Sequence, residues 1–88
     1  MSDRFYVYII YSSYHNIYYK GFSTNIGKRL LQHNNDESRY TAKKGPWKLV
    51  FVQSFDNQTQ ALKRERSLKK YDHNQIAALI KSRLNELG

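Results

Sequence analysis

Phe5-Tyr6-Val7-Tyr8-Ile9-Ile10-Tyr11 is apolar or aromatic at every position. A strand with one wet face would alternate, so this run reads as a strand covered on both faces, the middle of a small sheet. Ser12-Ser13-Tyr14-His15-Asn16 is a polar turn, and Ile17-Tyr18-Tyr19-Lys20 is a second β-rich run that ends on Gly21. Two such runs predict an antiparallel hairpin. Ser23-Thr24-Asn25 then offers an N-cap for Ile26-Gly27-Lys28-Arg29-Leu30-Leu31-Gln32-His33. Ile26 and Leu30 are four apart and share a helix face. Arg29 and His33 are also four apart, on a neighbouring face that can look at the hairpin.

Downstream, Asn34 to Gly45 is a polar connection, read as a surface loop that carries function. Arg39, Lys43 and Lys44 are concentrated there around Tyr40, a mixture that suits a phosphate backbone and an unstacked base. The plainer reading is a solvated loop with one anchoring tyrosine. Gly45-Pro46 signals a turn, and Trp47 to Phe55 is the third strand. Asn57 with Gln60 reads as a capping box, opening a helix from about Gln58 to Lys70. Asp72 with Gln75 repeats that signal after a break near Tyr71. Ile76, Leu79, Ile80, Leu84 and Leu87 then make an apolar stripe of core residues. The order strand, strand, helix, strand, helix, helix predicts an α+β fold, a three-stranded antiparallel sheet flanked by helices.

The 88 residues are expected to form one domain. Cysteine is absent, which excludes disulfides and thiolate metal sites. No long apolar segment is present, and Asp3 and Arg4 precede the first strand. The expectation is a cytoplasmic protein without membrane attachment. Fifteen Lys and Arg against seven Asp and Glu leave a net charge of +8. That balance favours a polyanion, most simply nucleic acid.

Glu65 is the most informative single residue. Ala61, Glu65 and Leu68 fall on one helix stripe, so the carboxylate leaves the helix where it packs on the sheet. Such a placement is costly unless the group is paired or binds a cation. Both outcomes are open at this point. Asp36 and Glu37 lie in the loop, Asp56 and Asp72 at helix starts, and Asp3 and Glu86 near the termini. A cluster of carboxylates holding two metals is therefore disfavoured, and a single Mg²⁺ or Mn²⁺ fits better. Taken singly, Tyr8 and Tyr19 are ordinary strand aromatics, Arg29 an ordinary surface arginine and His33 an ordinary helix histidine. Gly21 is explained by a turn or bulge, or by backbone that a phosphate can approach.

The spaced set resembles the GIY-YIG nuclease domain, and in detail its short stand-alone members. Tyr6-Val7-Tyr8 stands where that family has Gly-Ile-Tyr, and Tyr19-Lys20-Gly21 where it has Tyr-Ile-Gly. Arg29 and His33 follow, then Tyr40-Thr41, Pro46-Trp47-Lys48-Leu49-Val50 and Ala61-Leu62-Lys63-Arg64-Glu65. The departures are Tyr6 for the first glycine and Lys20 for an apolar residue. The resemblance implies a metal-dependent endonuclease that hydrolyses phosphodiesters, with DNA as the first expectation and DNA repair as a setting. It implies that Tyr8 is the general base or orients the water, and that Tyr19 binds phosphate or helps place the water. It implies that Arg29 grips the scissile phosphate, His33 assists, and Glu65 holds the metal. Gly21, Lys28, Arg39, Lys43, Lys44, Lys63 and Arg64 are the expected nucleic-acid contacts. Two rivals stand beside this reading: a binding module without turnover, which needs a protein partner to select or cut substrate, and a protein-interaction domain that keeps only the fold.

Overall fold

The computed structural model describes residues 4–87. Three antiparallel strands, β1 (Phe5–Ser12), β2 (Ile17–Ser23) and β3 (Lys48–Phe55), form one sheet in the order β2-β1-β3. Three helices complete the chain: α1 (Ile26–Asn34), α2 (Gln58–Leu68) and α3 (His73–Ile80). The expected α+β order is the observed one. Central β1 is covered on both faces, as its unbroken apolar run demands. Val7 and Ile9 point into one core with Phe51, Ala61, Leu68, Ile76 and Leu79. Tyr8 and Ile10 point into the other with Trp47, against which Tyr19, Ile26 and Leu30 pack. The parity of one strand thus divides the molecule into an α2/α3 side and an α1 side.

Several boundaries differ from the sequence reading. Strand β2 continues through Gly21 to Ser23, because Gly21 pairs with Tyr8 instead of ending the ladder. Helix α2 stops at Leu68. At its start Asn57 accepts from the Gln60 N–H at 3.1 Å, the forward half of a box. The reciprocal box is complete at Asp72 and Gln75, with both bonds at 2.8 Å. Helix α3 ends at Ile80, and Leu84 and Leu87 are about half exposed, not core. The tail folds back along β3 instead. The Glu86 N–H donates to the Val52 carbonyl at 2.8 Å, and its carboxylate accepts from the Ser54 N–H and hydroxyl at 2.7 and 2.8 Å. Asn85 donates to the Val50 and Ile80 carbonyls. The outer edge of β3 is thereby blocked against pairing with another chain. No helix among the described residues is long and apolar enough to cross a membrane. Asp3 lies outside the described residues.

Candidate active site

The α1 side of the sheet carries a polar core within an apolar one. Asn25 caps α1, accepting from the Lys28 N–H at 3.1 Å, and so sets the helix phase. That phase turns His33 inward on the last turn, where it is fully buried. Its Nε2 lies 2.7 Å from the Tyr8 hydroxyl and its Nδ1 lies 2.6 Å from Thr41 Oγ1. The Tyr8 and Tyr19 rings flank the imidazole, with centroids 5.8 and 5.1 Å away. Thr41 is itself buried, and its carbonyl accepts from the Trp47 indole N–H at 3.2 Å. Asn34 clamps the backbone of Trp47 by two further hydrogen bonds. The loop after α1 is thus pinned at both ends of this network.

Burial dominates the electrostatics. It pushes the Tyr8 phenol up to about 12, with Tyr19 and Glu65 adding smaller upward pushes and Arg29 opposing by hydrogen bonding and charge. Burial, aided by the nearby Arg29 charge, drives His33 down to about 4. Tyr8 is therefore protonated and His33 neutral near pH 7. Arg29, one turn before His33, reaches both groups, while one of its N–H groups donates to Gln32 at 2.9 Å.

Glu65 approaches from α2. Its carboxylate is one-fifth exposed and lies 3.7 Å from Lys69, a loose i,i+4 ion pair. Its charge reaches Tyr8 from there. Both alternatives left open for this residue thus persist: it has a cationic neighbour, yet the pairing is long. Adjacent Arg64 leaves the helix in another direction, donating to Gln53 of β3 at 3.2 Å and lying 5.8 Å from the Tyr71 ring. A helix turns about 100° per residue, so neighbours in sequence serve opposite edges of the sheet.

Among the described residues no group of three or more His, Asp or Glu stands close enough to hold a metal ion. A hard divalent ion commonly takes one or two carboxylates and completes its shell with water and substrate phosphate. The donor chemistry at Glu65 fits such an ion.

The structure brings Tyr8, Tyr19, Arg29 and His33 together, with Glu65 at their margin. Gly21 is buried beneath them, and a Cβ there would collide with the Tyr8 phenol, lying 2.9 Å from its Cε1. The absent side chain makes room for Tyr8. Lys28, Arg39, Lys43, Lys44 and Lys63 are exposed, whereas Arg64 is engaged as described. Tyr40 does not anchor its loop: it is 72% exposed, and Thr41 and Ser38 are the buried residues there. Thr41 is the site residue that spacing did not single out; the one pointer to it was the Tyr40-Thr41 pair within the family resemblance.

The fold and this constellation define a class, and the comparisons agree with it. The family model for the GIY-YIG catalytic domain matches residues 4–75. The chain belongs to that family and groups with its UPF0213 proteins. It is 39% identical over 79 residues to a UPF0213 protein of Clostridium perfringens, covering 89% of this chain and 84% of that one. A UPF0213 protein of Staphylococcus saprophyticus is 34% identical over 79 residues, covering 89% and 95%. The solution structure of a UPF0213 protein from Bacillus halodurans superposes with a TM-score of 0.59 at 24% identity, over 96% of this chain and 89% of that one, and shows the shared fold.

Proposed function

We propose that this protein is a metal-dependent endonuclease hydrolysing phosphodiester bonds in nucleic acid, DNA before RNA. The observation that carries the reading is the convergence of Tyr8, Tyr19, Arg29 and His33 on one spot within reach of the Glu65 charge. In it, Glu65 holds a Mg²⁺ or Mn²⁺, which when bound lowers the pKa of a water and screens charge building on the phosphate. Arg29 binds the scissile phosphate and stabilises the transition state. Tyr8 takes the water's proton while passing its own to Nε2 of His33, 2.7 Å away. His33 can receive it because it is neutral. In this reading the tautomer is the one whose Nδ1–H donates to Thr41 Oγ1, 2.6 Å away, which leaves the accepting lone pair on Nε2. The net movement is one proton from water to imidazole; the resulting hydroxide forms the new bond to phosphorus as the bond to the leaving oxygen breaks, and the imidazolium, made acidic by burial, gives the proton up again to that oxygen or to solvent. Burial makes His33 a relay and unsuits it to holding phosphate. Tyr19, partly exposed, meets the phosphate or the water.

The long Glu65–Lys69 pair favours a second reading, a binding module in which this carboxylate is only an ion-pair partner. One experiment divides the two. Labelled single-stranded, duplex, flapped and branched DNA, with RNA, is incubated with wild type and Glu65→Gln in Mg²⁺, Mn²⁺ or chelator. Metal-dependent cutting that falls on the order of 10²–10³-fold in Glu65→Gln is the expected result. Equal cutting by both proteins refutes the assignment of Glu65. Binding with no cutting by either establishes the binding module.

A further inference from the structure

A cleft of about 480 Å³ opens beside the candidate active site, at the β2 edge of the sheet. Tyr18 and Tyr19 line it from β2, Lys69 from the C-terminal cap of α2, Tyr40 and Lys44 from the loop, and Trp47 from the loop's end. Tyr19 belongs to the cleft and to the constellation around His33. Lys69 joins it to Glu65. The volume lies within the ~300–1,000 Å³ of sites that enclose whole small molecules, more space than one phosphate fills.

We propose that this cleft takes one unpaired nucleobase of the substrate strand, next to the phosphate held by the active site. The inference rests on the nuclease reading for its place beside the scissile bond, and on the cleft alone for its ligand. Tyr40 is the central observation. Its ring is 72% exposed and packs into neither core. Its neighbour Thr41 is fully buried and tied to His33 and Trp47 at 2.6 and 3.2 Å. The backbone is thus fixed while the ring is held out at the rim. A tyrosine presented in this way offers a stacking face with little ordering left to be done on binding. Lys44 and Lys69 place positive charge along the same rim, which matches the phosphates flanking a base and not a neutral apolar guest. A base inside a duplex has both faces covered by its neighbours and cannot occupy such a site. The strand must be single, or must fray there.

The test separates bases from phosphates. The full chain carrying Glu65→Gln is held in chelator, so that nothing is cut. Fluorescence anisotropy compares a twelve-nucleotide thymidine strand, an equal-length strand of abasic residues with every phosphate retained, and the thymidine strand in a blunt duplex. The thymidine strand should bind on the order of tenfold more tightly than the abasic one. Tyr40→Ala should erase that difference, Tyr40→Phe should keep most of it, and duplex affinity should not respond to Tyr40. Equal affinity for both single strands, or a preference indifferent to Tyr40→Ala, overturns the base site and leaves a phosphate-binding cleft. Wild type that binds as expected yet never cuts with metal sinks the nuclease reading and leaves the base site standing. No binding to any strand sinks both.

Discussion

The two faces of the sheet are supplied by one strand, yet they obey different rules. On the α2/α3 side, Val7, Ile9, Phe51, Ala61, Leu68, Ile76 and Leu79 bury nothing polar. They require only volume and shape. On the α1 side, Tyr8, His33 and Thr41 are buried beside Ile10 and Trp47. Each polar group there needs a partner, because an unmet one costs about 1–3 kcal/mol. Among the described residues every buried side-chain nitrogen and oxygen has one. The apolar face can be refilled by many side chains of similar size. The polar face depends on a particular set of atoms, and that dependence is the physical mark of a site.

Breaking the two faces should give different signatures. Phe51→Ala, on the apolar side, should cost about 3–5 kcal/mol of stability, read by denaturant unfolding. Protein that remains folded should keep its turnover; a lost turnover at full folding would show that the faces are coupled. Thr41→Val, on the polar side, should cost less, about 2 kcal/mol, by leaving Nδ1 of His33 unpaired. Cleavage should nevertheless fall at least about tenfold, in kcat more than in KM, and Thr41→Ser should restore it. Nitrogen NMR of the His33 ring should show the Nδ1–H tautomer in wild type and a mixture in Thr41→Val. An unchanged tautomer would remove Thr41 from the relay.

Acid sharpens the comparison further. His33 titrates near 4 when folded and near 6.5 when unfolded, so the unfolded chain takes up the proton first as pH falls. Its contribution is complete above about pH 6.5 and shrinks toward pH 4, by about 3 kcal/mol. His33→Gln should lack this slope. The acid limb of cleavage should likewise lie well below pH 6.5, because the neutral imidazole persists in the folded protein. A limb centred at 6.5 would mean that His33 titrates as an exposed histidine and that the polar face is open in solution.

Much of the fold was legible without coordinates. A seven-residue run with no polar break has to be a central strand, and Asn25 and Asp72 cap helices by bonds to residues three further on. Arg29 and His33 could be placed four apart on one helix for the same reason. These inferences hold because the governing interactions are local or follow a fixed period. Leu84 and Leu87 show the limit: their helical spacing promised core, but α3 ends at Ile80 and the tail is drawn to the open edge of β3.

What the sequence by itself determined is the element order, the burial of β1 and the membership of Tyr8, Tyr19, Arg29, His33 and Glu65 in one spaced pattern. Tertiary structure decided which partners they have. Thr41 meets His33 from eight residues away, Tyr40 is held out while its neighbour is locked in, and Arg64 and Glu65 part toward opposite edges. None of these follows from a period. Each depends on how a loop closes over the sheet and at what angle a helix crosses it, and those are settled by the packing of the whole chain.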